Sequence, residues 1–159
     1  MSAGFLIRRG DMDDLDDLVR FQVAMAAESE DKGLNADILR AGITHLISRP
    51  LEGFYLVAEA DGKAAGSLMV TFEWSDWRNG RFWWIQSVYV DPTFRRRGIY
   101  SALHQHVRDA AIADPESCGL RLYVDTTNAR AQAVYAALGM NGGHYRVFED
   151  MFADPPRSS

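Results

Sequence analysis

With 159 residues, 47% of them hydrophobic and 25% charged, the chain has the size and balance of one globular domain with a single sizeable core. The formal net charge of −5 argues against a nucleic-acid binder, which needs many Lys and Arg contacts to phosphate. A lone cysteine, Cys118, excludes an intramolecular disulfide, and with no run of about 18 apolar residues and no leader-like segment the expectation is a cytoplasmic protein without membrane contact.

In chain order, Phe5 to Arg8 reads as a short strand. Asp11 follows as an N-cap, with Asp13 and Asp14 placed where a helix favours negative charge. Leu15, Leu18, Val19, Gln22, Met25 and Ala26 then recur at spacings of three and four, which predicts one helix face packed on a sheet. The acidic run from Glu28 to Asp31 closes that helix. It reads either as a solvated loop or as a rim that attracts an amine. Asn35 caps a second helix over about Ala36 to Ser48, which Pro50 stops.

Phe54 to Ala60 and Ala64 to Trp74 are strand-forming runs joined by Asp61-Gly62, and Asn79-Gly80 leads into a third such run, Phe82 to Val90. Four tryptophans (Trp74, Trp77, Trp83 and Trp84) fall close together here. Core filling is the simpler reading for any one of them, and a wall of a ligand pocket is the other. A helix over Gly98 to about Ala113 presents Ile99, Ala102, Leu103, His106, Val107 and Ala110 on one face. His104 and His106 are two apart and do not converge, so no metal site is expected. Gly119 to Val124 reads as a strand, Asn128 as the cap of a short helix that ends at Gly139, and Tyr145 to Phe152 as a last strand. Residues 1–152 are thus expected as one domain, with 153–159 a loose polar tail.

The stretch with the clearest chemistry is Ser87 to Ser101, SVYVDPTFRRRGIYS. A strand runs into a turn, then a basic loop containing glycine, then a helix N-terminus. The first N–H groups of a helix have no internal acceptor and the dipole favours an anion there, so the arrangement predicts a phosphate or pyrophosphate site. Arg95, Arg96 and Arg97 add positive charge, and Gly98 permits close backbone approach. A solvated basic turn is the plainer alternative.

This stretch resembles motif A of the GNAT-type N-acetyltransferase superfamily, (Q/R)-x-x-G-x-(G/A). Arg95 and Gly98 hold the first two places and Tyr100 the third, where its backbone N–H serves as well. Tyr123 to Met140 resembles motif B, with Asn128, Ala131, Tyr135, Gly139 and Met140 at the matching spacing. The resemblance implies an α/β (α+β type) GNAT fold, a mixed and mostly antiparallel sheet of six to seven strands splayed at its centre and flanked by about four helices. It implies acetyl-CoA as acyl donor, with the pantetheine arm on the backbone of Val88, Tyr89 and Val90 and the pyrophosphate on the N–H groups of Arg96, Arg97, Gly98, Ile99, Tyr100 and Ser101. Asn128 would bond the pantetheine, Ala131 would leave room for it, and Arg130 would reach the nucleotide end.

The chemistry the family implies is direct transfer of acetyl to an amine of a small molecule or peptide. The Val88 N–H would hold the oxyanion and Tyr135 would protonate the leaving thiolate. That proton transfer is uphill by about 2 kcal/mol in water, from pKa values near ~10 and ~8.5, which a positioned donor can absorb. Glu73 is the candidate base, with a hairpin salt bridge to Arg78 or Arg81 as its plainer reading. Glu28, Trp74, Asp76, Trp84 and Gln86 are the candidate acceptor-side residues, Asp76 holding a substrate cation. The same resemblance allows a homodimer. A non-catalytic acyl-CoA-binding or sensing module is the rival reading. A nucleotide-binding loop is a third, but it lacks the lysine-serine pair of a P-loop.

Overall fold

A computed structural model describes residues 4–30 and 33–152. The chain divides into two compact units between Leu122 and Tyr123. The expected tail, 153–159, lies outside the described residues.

The first unit is a curled five-stranded sheet in the order β1-β2-β3-β4-β5 with helices on both faces. Its elements are β1 (Phe5–Arg9), α1 (Leu15–Glu30), α2 (Ala36–Ile47), β2 (Gly53–Ala60), β3 (Lys63–Ser75), β4 (Gly80–Val90), α3 (Ile99–Ala113) and β5 (Ser117–Arg121). The first four strands are antiparallel neighbours, and β5 joins β4 in parallel. Asp61 and Gly62 both take positive φ (53° and 75°), the backbone of a two-residue hairpin whose twist suits the strands.

Strand alternation sends side chains to two cores. Phe54, Leu56, Ala58 and Ala60 of β2 join Leu68, Val70, Trp83 and Ile85 beneath Ile99, Leu103, Val107 and Ala111 of α3. Tyr55 and Val57 face the other way, against Leu18 of α1 and Ile43 and Leu46 of α2. Each fully buried aliphatic side chain contributes about 1.5–3 kcal/mol, so the two faces together hold the sheet between its helices. Asp11 caps the turn Met12–Asp14 that leads into α1. Arg8 then binds the buried Asp14 carboxylate through two 2.8 Å hydrogen bonds. Burial pushes Asp14 up, but that guanidinium and the Asp11 N–H hold it below the ordinary carboxylate range.

The α3 face differs from the sequence reading at two places: His104 is 4% exposed while His106 faces solvent, and Ala111 is buried while Ala110 is exposed. The buried stripe follows Ile99, Leu103, Val107 and Ala111 at intervals of four, and His104 flanks it. β5 also begins and ends earlier than Gly119 to Val124, because its ladder with β4 stops at the pair Trp84–Arg121.

The second unit contains α4 (Ala129–Ala137), capped by Asn128 and followed by Gly139 at φ 90°. Among the described residues the sheet has five strands rather than six or seven. Tyr145 to Phe152 forms neither strand nor helix, and its apolar side chains are exposed. Strand propensity makes no strand until a neighbour takes up the backbone N–H and C=O groups. Among the described residues no helix is long and apolar enough to cross a membrane.

Candidate functional site

The middle of β4 is irregular. Gln86 pairs with Met69 and Tyr89 with Ser67, so Ser87 and Val88 together oppose the single residue Leu68. Ser87 takes φ 55°, the left-handed conformation that a bulge residue uses. The extra residue switches the parity of the strand. Trp83 and Ile85 lie in the α3-side core before the bulge, and Val88 and Val90 pack there after it.

The same stretch has an open edge. β4 pairs with β5 only from Arg81 to Trp84, and among the described residues no strand pairs with Ile85–Val90 on that side. The Asp91 N–H donates to the Ala65 carbonyl at 2.8 Å, which sets the phase of the backbone. Tyr89 and Asp91 therefore turn their N–H and C=O groups toward β3, and Val88 and Val90 turn theirs to the open edge. An extended chain with its own amides can add there as a further strand.

Beyond β4, Asp91 accepts from the Thr93 N–H (3.0 Å) and caps the short turn Pro92–Phe94. Arg96 (φ 67°) and Gly98 (φ 82°) are both left-handed, and α3 begins at Ile99. Gly98 contributes no side-chain cap to the first turn of α3, a helix start of the kind that can meet an anion. A Cβ on Gly98 would meet nothing within 4 Å, so its positive φ rather than crowding is what requires glycine. Ile99 is buried and Tyr100 packs partly against the same core, which anchors the helix start. Ser101 completes the first turn at the surface.

The three arginines differ. Arg95 is committed within the protein: its Nε donates to the Val90 carbonyl and its Nη2 to Glu28, both at 2.9 Å. Arg97 stands 3.4 Å from Asp61 and over the Phe94 ring. Among the described residues no carboxylate pairs with Arg96.

The face of the sheet toward α1 carries Glu73 and Thr71 of β3 opposite Phe82 and Trp84 of β4, with Gln86 donating to the Thr71 hydroxyl at 2.7 Å. Trp84 and Gln86 are half-buried there. The other tryptophans are elsewhere. Trp83 is core on the opposite face, Trp74 shares the parity of core-facing Phe72 and is 61% exposed, and Trp77 is 91% exposed. Trp74 therefore does not wall a pocket with Trp84, because neighbouring strand positions point to opposite faces. Asp76 lies in the hairpin tip, where its carbonyl accepts from the Asn79 N–H, and is not brought to the other acceptor-side residues. The Glu28 carboxylate is taken up by Arg95 and the Tyr89 hydroxyl (2.8 Å), which hold it below the usual range.

Glu73, the candidate base, is engaged by a neighbouring strand. Its carboxylate is bound by Arg121 of β5, not by Arg78 or Arg81, and Arg81 instead pairs with Asp114. It stands five residues along β3 from Leu68, about 17 Å from the bulge at strand rise, too far for one bridging water.

In the second unit the Asn128 side chain accepts from the Ala131 N–H at 3.0 Å, an N-cap that still leaves its amide nitrogen as a donor. Arg130 is exposed, and Tyr135 sits half-buried in the last turns of α4. The Asp125 carboxylate accepts from both the N–H and the hydroxyl of Thr127, and this turn supports the cap.

A separate surface groove between β1, the start of α1 and the β2–β3 turn includes Arg8, Asp14, Asp17, Arg20 and Asp91. Arg8 pairs there with Asp14, and Arg20 with Asp17 and Asp91, while Asp13 and Lys63 also line the groove. Among the described residues no three His, Cys, Asp or Glu gather as a metal site.

Sequence reasoning misses Ser87, Thr71 and Arg121. The parity change from Trp83 and Ile85 to Val88 and Val90 is a signal for the bulge, obscured by the aromatic residues Trp84 and Tyr89 at the alternate places. Thr71 and Arg121 carry no local signal, since only register brings them to Gln86 and Glu73.

Residues 16–140 match the model of the Acetyltransferase (GNAT) family. An uncharacterised N-acetyltransferase of Archaeoglobus fulgidus is 33% identical over 133 residues, 82% of this chain and 89% of that protein. Thialysine N-ε-acetyltransferase of Bos taurus is 37% identical over 92 residues, 53% of each chain. The crystal structure of a possible acetyltransferase from Clostridium difficile 630 superposes with a TM-score of 0.89 at 39% identity, covering 94% of this chain and 99% of that one.

Proposed function

From the premise that the chain belongs to the GNAT family of acetyltransferases, we propose that it moves an acetyl group from acetyl-CoA to a primary amine by direct attack. The observation that carries this reading is the open, bulged edge of β4 running into the left-handed Gly98 and the start of α3. Its two parts suit the two ends of one long ligand. The edge offers Val88 and Val90 to an amide-bearing arm, and the loop offers Arg96 and outward N–H groups to a pyrophosphate.

In this reading the acceptor binds as an ammonium and loses its proton to solvent, because only the neutral amine has a lone pair for the thioester carbon. Charge developing on the carbonyl oxygen is met by the Val88 N–H. The C–S bond then breaks, the Tyr135 hydroxyl gives its proton to the leaving sulfur, and the second amine proton, lost from the nitrogen as the amide forms, restores the hydroxyl. Asn128 and Arg130 would hold the donor, as the resemblance to motif B implies. Trp84 and Gln86, on the α1-facing side of the sheet, would meet the acceptor, and Glu73 with Arg121 would set the charge at its far end. The bovine relative is named for N-ε-acetylation of thialysine, which supports a small acceptor with a primary amine.

Isothermal titration of acetyl-CoA against the wild type and the Arg96→Glu/Gly98→Asp double variant tests the donor site. Binding to the wild type that is lost in the variant supports it, and no binding to the wild type sinks it. A thiol-release assay across a panel of amines then separates a transferase from a non-catalytic acyl-CoA-binding module, which binds the donor and releases nothing.

A further inference from the structure

Four groups close a ring of contacts where α1, β4 and the basic loop meet. Glu28 near the end of α1 accepts from the Tyr89 hydroxyl (2.8 Å) and from Arg95 (2.9 Å). Arg95 in turn donates to the Val90 carbonyl (2.9 Å), and its guanidinium lies 5.4 Å from the centre of the Tyr89 ring. Tyr89 is buried against Phe21, with ring centres 5.6 Å apart. A second link from the same helix, Arg20 to Asp91 at 2.9 Å, reaches the residue that caps the following turn.

Arg95 holds the first place of the motif, yet its donors serve the protein. The carbonyl it binds is the open-edge carbonyl of Val90, and the residue it leans on is a carboxylate, a poor neighbour for a phosphate ligand. We propose that Glu28 and Arg95 are positioning residues for the acyl donor. Glu28 holds Arg95 on the Val90 carbonyl, so that the loop and the start of α3 stand in their anion-binding shape before the donor arrives, and Arg96 is the arginine that meets phosphate. This rests on acetyl-CoA being the donor.

The proposal has a sign that simple electrostatics does not share. Glu28 is a negative charge beside an anion site, so by Coulomb's law alone its removal tightens binding and frees Arg95 for the phosphate. A strut predicts the reverse, because a loop no longer held in shape must be ordered by the ligand.

Isothermal titration of coenzyme A at two salt concentrations, with thermal melts, compares wild type, Glu28→Gln, Arg95→Gln, their double variant and Arg96→Gln. Glu28→Gln and Arg95→Gln are each expected to weaken binding about tenfold, and the double variant no further, since both break one unit. Their salt dependence stays that of the wild type, whereas Arg96→Gln flattens it by removing a charge that meets the ligand. Tighter or unchanged binding by Glu28→Gln, or losses that multiply in the double variant, overturns the proposal. Should Glu28→Gln fail to fold, Tyr89→Phe removes only the hydroxyl contact and is expected to weaken binding about threefold; an unchanged value overturns the proposal equally. Absence of binding to the wild type overturns the donor reading and this proposal with it, while binding with the wrong sign in Glu28→Gln overturns this proposal alone.

Discussion

Arg121 on β5 reaches across the Phe82 ring, 3.6 Å from its centre, to hold the Glu73 carboxylate on β3. Three strands are tied at the level where the β4–β5 ladder ends and the open edge begins. Glu73 is thus a tie between β3 and β5 where the open edge of β4 begins. Glu73→Gln is expected to leave the acid limb of the kcat/KM pH profile in place and to cost about 0.5–1 kcal/mol of stability, the scale of a part-exposed pair. Loss of that limb in the variant would restore Glu73 as the base.

Ser87 bears a side chain at φ 55° in the bulge that turns the Val88 N–H outward. Ser87→Gly relieves the left-handed strain and adds unfolded-state freedom, so its denaturation midpoint should stay near the wild-type value. Ser87→Val places a β-branched residue where that φ is least tolerated, and should cost about 1–3 kcal/mol and lower kcat through the displaced N–H. Equal midpoints for the two variants would mean that the bulge is not strained.

Tyr135→Phe removes one oxygen from a half-buried ring in α4. If that hydroxyl protonates the leaving thiolate, kcat should fall by about 10²–10⁴ while acetyl-CoA affinity stays within a factor of two. Turnover near the wild-type value in single-turnover thiol release would remove Tyr135 from the chemistry.

Burial depresses the His104 pKa below its ordinary value near 6.5, with Arg108 adding to the effect. The unfolded chain then binds the proton more readily than the folded one. Stability is therefore full above pH 6.5 and declines as pH falls below it, through to the depressed folded value, where the decline stops. Urea melts of His104→Gln should lack this step while keeping the carboxylate-linked loss at lower pH. An unchanged slope between pH 6.5 and 5 in the variant would place the titration elsewhere.

The sequence by itself determined the local events. Asp11, Asn35 and Asn128 cap helices because a short side-chain acceptor beside a free N–H works within three residues. Asp61-Gly62 turns a hairpin and Gly98 opens α3 because few residues tolerate positive φ. The two motifs carry a resemblance to the family whose model residues 16–140 match. What only the tertiary structure decided depends on register and on which partner arrives first. The pairing of Ser87 and Val88 with Leu68 makes the bulge, and the end of the β5 ladder at Arg121 opens the edge. Arg95 is held by Glu28, 67 residues earlier in the chain. Glu73 meets Arg121 from 48 residues away rather than its hairpin neighbours. Capping and turn energies act over one to four residues and are written in the local sequence, whereas charge pairing and strand register are settled by whichever distant groups the packed sheet brings within 3 or 4 Å.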